Sequence, residues 1–164
     1  MNELIDKPLW SGFVASAEKF PDRTALEVGG ESFSYQALRD LAASLAATLK
    51  KHDTGVEPPL TAVFAYRSAT AFAGVLAALF RGHGYVPLNR TFPVERSKGM
   101  LARSKCRAVI VDAQSEPQLE SLLADAAESY VMILPERADV SELAARWPKH
   151  RWLGKADLEP AQSW

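Results

Sequence analysis

From Leu60 onward, short apolar runs alternate with segments of helical periodicity, and this alternation restricts the chain to very few architectures. Leu60–Tyr66 is a nearly continuous apolar run, which suits a strand buried on both faces of a parallel sheet. Ser68 then caps a helix over about Ala69–Arg81, stopped by Gly82 and Gly84. That helix is apolar on nearly every side, so it is expected to be deep core, with Leu76→Ala or Leu79→Ala costing roughly 2–5 kcal/mol. Tyr85–Leu88 reads as a short extended piece, and Pro87 argues for an edge strand. A helix opened by Pro93 runs to about Ser104, followed by a strand at Ala108–Asp112. A helix over Glu116–Glu128, a strand at Tyr130–Leu134 and a short helix near Ser141–Trp147 continue the pattern. Strand and helix in strict alternation predict an α/β fold with a mostly parallel sheet and helices on both faces, joined by right-handed crossovers.

The segment before Leu60 is different in kind. Leu9, Phe13 and Ala17 are spaced for a helix over Leu9–Phe20. Thr24–Val28 and Glu31–Ser34 flank Gly29-Gly30 and read as a β-hairpin, because glycine supplies the positive φ of a tight turn. Ser34 is placed to cap a helix from Tyr35 to about Lys51, with Leu38, Leu41, Ala42, Leu45 and Leu49 on one face. The basic run Lys50-Lys51-His52 then lies at a helix C-terminus, where cations complement the dipole. The stretch after Lys149 has weak periodicity. The expected organisation is one α/β domain over 1–164, with 1–8 and about 158–164 as tails.

Composition excludes several function classes. The chain has 164 residues, 48% hydrophobic and 24% charged, with a formal net charge of −1. It therefore has no basic footprint for nucleic acid. Its longest apolar run, Ala69–Phe80, is too short for the ~20 residues of a membrane span. Met1–Pro8 lacks the pattern of a signal peptide, and the one cysteine, Cys106, makes no internal disulfide. The expected location is cytoplasmic. Cys106 lies between Lys105 and Arg107, which could acidify its thiol; as a small residue beside a strand it needs no such role.

Catalytic constellations are absent from the sequence. Arg67-Ser68-Ala69-Thr70 follows the first parallel strand without a glycine-rich phosphate turn. Gly82-His83-Gly84 imitates a dinucleotide fingerprint but follows a helix, with Pro87 at the third glycine position. His52, His83 and His150 have no metal-ligand spacing. Ser11, Ser68 and Ser97 lie in no nucleophile elbow. Asp112 is at a strand's C-terminal end, where ligands bind such sheets, although a lone carboxylate there is more often a cap. No catalytic, cofactor-binding or metal residue is assigned.

Two stretches carry a resemblance. Phe20-Pro-Asp-Arg-Thr-Ala25 leads to Phe33-Ser-Tyr-Gln-Ala-Leu38. Val75-Leu-Ala-Ala-Leu-Phe-Arg-Gly-His-Gly-Tyr-Val-Pro-Leu-Asn89 leads to Phe92-Pro-Val-Glu-Arg96. In order and spacing they resemble the first two core motifs of adenylate-forming enzymes (AMP-dependent synthetases and ligases), most closely the amino-acid adenylation domains of nonribosomal peptide synthetases. Acyl-CoA synthetases and luciferases share that fold. The chain departs from the pattern at Ala37, where a capping carboxylate is usual, at Asn89-Arg90, where Asp-Pro is usual, and at His83, where a small residue is usual.

The resemblance reaches to about Asp157 and implies the N-terminal subdomain of such an enzyme, roughly its first third. The family activates a carboxylate with Mg-ATP to an acyl-adenylate and passes the acyl group to a thiol. Its phosphate loop, ribose-binding aspartate, hinge and catalytic lysine belong to later segments, so no catalytic residue carries over. The expectation is an N-terminal fragment or split subunit of a carboxylate- or amino-acid-activating ligase, inactive alone, with Mg-ATP belonging to the complete enzyme. Its implied partners are the remainder of the enzyme, in cis or as a separate chain, a carrier protein, or a second copy. The alternatives are a non-catalytic module that docks on a synthetase or carrier protein, and an independent small-molecule-binding domain.

Overall fold

The computed structural model describes residues 7–55 and 57–164, so most of the expected N-terminal tail lies outside the described residues. A helix α1 (Ser11–Lys19) precedes a two-stranded antiparallel hairpin, β1 (Thr24–Val28) and β2 (Glu31–Ser34). Gly29 and Gly30 turn it with φ of 61° and 82°, the double positive φ that two glycines allow. Helix α2 (Tyr35–His52) starts where the Ser34 hydroxyl accepts from the Ala37 N–H at 3.1 Å. The cap holds although Ala37 offers no carboxylate in return.

Five parallel strands form the sheet. They are β3 (Leu60–Phe64), β4 (Gly84–Leu88), β5 (Ala108–Val111), β6 (Val131–Ile133) and β7 (Arg151–Leu153), in the order β4-β3-β5-β6-β7. Between them run α3 (Ala69–Phe80), α4 (Val94–Ser104), α5 (Leu119–Leu123) and α6 (Ser141–Arg146). The Ser68 hydroxyl caps α3 by accepting from the Ala71 N–H at 3.1 Å. Alternate strand residues feed two cores. Phe64, Leu88, Val109, Val111 and Met132 meet α4, α5 and α6 on one face. Ile110, Ile133 and Leu153 meet α2 and α3 on the other. All four residues of β5 are buried, as a central parallel strand requires. Pro87 does sit on an edge strand.

Four departures from the sequence reading have physical causes. The helix expected over Glu116–Glu128 is a 3-10 turn (Glu116–Gln118) followed by α5, and it ends at Ala124, with Asp125 at φ 61°. Leu119, Leu122 and Leu123 bury it, but Ala124–Ala127 offers no large side chain to anchor another turn. Lys149 satisfies the carbonyl of Ala126 at 2.7 Å and that of Ala127. Strand β7 was not anticipated, because three residues beginning with an arginine carry no periodicity. Residues 158–164, read as a tail, lie docked on α2. Ser44 donates to the Glu159 carbonyl at 2.6 Å, the Glu159 N–H donates to Thr48 at 2.9 Å, and Lys51 pairs with the Glu159 carboxylate at 2.6 Å. Trp164 stacks on Phe80 with ring centroids 4.1 Å apart.

The fourth departure concerns α3. Its inner side is Thr70, Ala73, Gly74, Ala77, Ala78 and Phe80, whereas Phe72, Val75, Leu76 and Leu79 remain partly or largely exposed. Small residues let the helix lie close to the sheet: a Cβ on Gly74 would stand 3.1 Å from a Val63 methyl. Leu76→Ala therefore trims a partly buried side chain at the margin of the core rather than a fully buried one. Its expected cost is about 1 kcal/mol, well below the roughly 2–5 kcal/mol of a buried leucine, and urea denaturation measures it.

Three histidines give the fold a pH dependence. His150 is buried, its Nδ1 accepts from the Tyr130 N–H at 3.1 Å, and its ring stacks on Tyr130. Burial lowers its pKa, and Lys149 adds to the effect. Burial is also the leading cause of the lowered values at His83, where Arg81 contributes, and at His52, where Arg151 and Lys51 contribute. The native state thus favours neutral imidazoles. Their contribution is complete above the unfolded value of about 6.5 and is lost as pH falls through the lower folded values. The melting temperature is expected to drop between pH 7.5 and 5.5, and His150→Gln, which can still accept from Tyr130, should flatten that drop.

Candidate functional site

In a doubly wound sheet the natural ligand crevice lies beyond the C-terminal ends of the strands, where neighbouring strands send their connections to opposite faces. Here that point falls between β3 and β5. The chain leaves β3 for α3 on one face and leaves β5 for α5 on the other. Beside it is a cavity of about 380 Å³ whose walls include Gly29, Phe33, Arg67, Thr70, Gln114 and Glu136. The β1–β2 hairpin closes one side and the turn after β6 the other.

Asp112 organises this end of the sheet. It is 1% exposed. One carboxylate oxygen accepts from the Tyr66 N–H at 3.0 Å and the Ser68 hydroxyl at 2.7 Å; the other accepts from the Ser115 N–H at 2.8 Å. It is the cap that the sequence allowed for, and it ties the β3–α3 turn to the turn after β5. Ser68 is spent on the same bond and on its own helix. Glu136 accepts from the Thr70 hydroxyl at 2.6 Å. Arg90 donates to the Tyr66 carbonyl at 3.1 Å, and its own carbonyl accepts from Gln118 at 2.9 Å. Arg67, at φ 50°, and Arg90 each lie about 5 Å from the Tyr66 ring centroid. Asp112, Ser68, Thr70, Glu136 and Arg90 are thus engaged with one another or with the main chain, and the arrangement holds the loops around the crevice in place.

The other features weighed in the sequence fall elsewhere. Gly82-His83-Gly84 links the end of α3 to the start of β4, at the opposite end of the sheet from the crevice. The three histidines are not brought together, and among the described residues no group of three or more His, Cys, Asp or Glu could hold a metal ion. Cys106 is buried, and burial pushes its thiol pKa up, with the Ser104 hydroxyl and the Arg107 charge failing to reverse it. Ser11 opens α1 and Ser97 is buried in α4. Among the described residues no helix is long and apolar enough to cross a membrane.

Sequence reasoning missed Thr70, Glu136 and Arg90 at the crevice. It also missed Asp53, 3% exposed at the far end of the sheet. Asp53 pairs with Arg81 at 3.0 Å and Arg107 at 2.9 Å. Partners separated by 24 to 66 residues leave no local pattern.

Comparison with known proteins places this geometry. The family described as AMP-binding enzyme matches residues 13–162. Tyrocidine synthase 3 of Brevibacillus parabrevis is 36% identical over 116 residues, 71% of this chain and 2% of the relative. Surfactin synthase subunit 1 of Bacillus subtilis is 32% identical over 134 residues, 76% of this chain and 4% of the relative. The chain thus spans a few per cent of the length of these curated relatives. Among solved structures, IdnL7 superposes with a TM-score of 0.74 at 28% identity, over 96% of this chain and 29% of its own. The Vibrio cholerae adenylation domain AlmE, solved with glycyl-adenosine-5′-phosphate, gives 0.78 at 24% identity, over 99% and 30%, a likeness of fold. With a doubly wound sheet, its hairpin and these relatives in agreement, the chain belongs to the AMP-binding enzyme family, as the N-terminal part of an adenylation domain of the nonribosomal peptide synthetase kind.

Proposed function

We propose that this chain is the N-terminal scaffold of an ATP-dependent ligase that activates an amino acid or another carboxylate as its adenylate, and that it does no chemistry alone. The observation that carries the second half is the saturation of Asp112 by Tyr66, Ser68 and Ser115 at the place where a sheet of this kind takes ligands. A triphosphate needs free N–H donors on a glycine-rich turn, and the turn after β3 is Tyr66-Arg67-Ser68 with Arg67 at positive φ. The residues present do not fit Mg-ATP, which in this reading belongs to the complete enzyme as substrate. The remainder of the enzyme, in cis or as a separate chain, is the partner, and a carrier protein receives the acyl group from the whole. The lone, buried Cys106 supports a cytoplasmic location.

The isolated chain is expected to give no ATP–pyrophosphate exchange above a blank without protein. Millimolar Mg-ATP should leave its melting temperature unchanged, whereas a ligand at a hundred times its Kd would add about 2.7 kcal/mol. Exchange by the chain alone, or a rise of several degrees, would overturn the proposal. A docking module without catalysis predicts the same null result alone but no exchange when the rest of an adenylation domain is supplied.

A further inference from the structure

We draw no further inference here: the strongest candidate, the pair of guanidinium groups of Arg67 and Arg90 set about 5 Å from the Tyr66 ring at the C-terminal rim of the sheet, belongs to the crevice already described, and nothing in the structure shows what covers it.

Discussion

Asp53→Ala is expected to lower the unfolding free energy by about 3–5 kcal/mol, the cost of leaving buried cations without their counter-charge. Asp53 bonds Arg81 through its carboxylate at 3.0 Å and through its main-chain carbonyl at 2.9 Å, and it bonds Arg107 at 2.9 Å. Arg81 follows α3 and its side chain is 8% exposed, so loss of the Asp53 carboxylate leaves a nearly dry guanidinium without its counter-charge, with the residue-53 carbonyl as its remaining acceptor. Arg107 is wetter and keeps the Gly55 carbonyl at 2.7 Å and that of Glu57, so most of the loss is assigned to Arg81. Since a domain of this size is stable by about 5–15 kcal/mol, the variant should melt far below the parent. Asp53→Ala combined with Arg81→Met should recover part of the loss, because an apolar group no longer needs a partner. Equilibrium urea unfolding of the three proteins decides it, and a single-variant loss under about 1 kcal/mol would show that the site is hydrated.

Asp112→Ala has the second largest expected effect, about 2–4 kcal/mol. Each donor left unpaired in the interior costs roughly 1–3 kcal/mol; Tyr66 N–H and the Ser68 hydroxyl lose their acceptor together, whereas Ser115 N–H keeps the main-chain carbonyl of residue 112 at 3.1 Å. Some relief comes from Ser68, whose hydroxyl can turn toward water at the crevice. Asp112→Asn is expected to cost less, because one acceptor oxygen survives, but its amide N–H₂ must face either Ser115 or the Tyr66–Ser68 pair. Hydrogen exchange should therefore quicken at Tyr66 and at the first turn of α3 in both variants, while β6 and β7 keep their protection. A variant with unchanged exchange at Tyr66 would show that the carboxylate is not what holds the turn.

These two carboxylates show how far the sequence could be read. Asp112 was visible as a residue at the end of an apolar run, and its capping role followed from local rules. Asp53 was invisible, because its partners lie 28 and 54 residues away and its meaning depends on which loops share one end of the sheet. The same division runs through the fold. Gly29-Gly30, Ser34 and Ser68 act on their immediate neighbours, and their turns and caps were legible. The parallel sheet was legible because β3 and β5 must be apolar on both faces. Strand β7 was not, since three residues paired to β6 owe their conformation to that neighbour. The outer side of α3 was read as deep core for a related reason: a helix apolar on nearly every side does not tell which of its faces meets the sheet.

The docking of residues 158–164 on α2 also sets an order of events in time. Thr48 and Glu159 bond across 111 residues of chain. At a synthesis rate of about 5–20 residues per second, α2 emerges roughly 5–20 s before the segment that covers Ser44 and Thr48. During that interval α2 can associate with α3 and the hairpin, but its side facing 158–164 stays hydrated, and Phe80 lacks the Trp164 ring. Docking of residues 158–164 on the ribosome is then a local zippering along a helix made early.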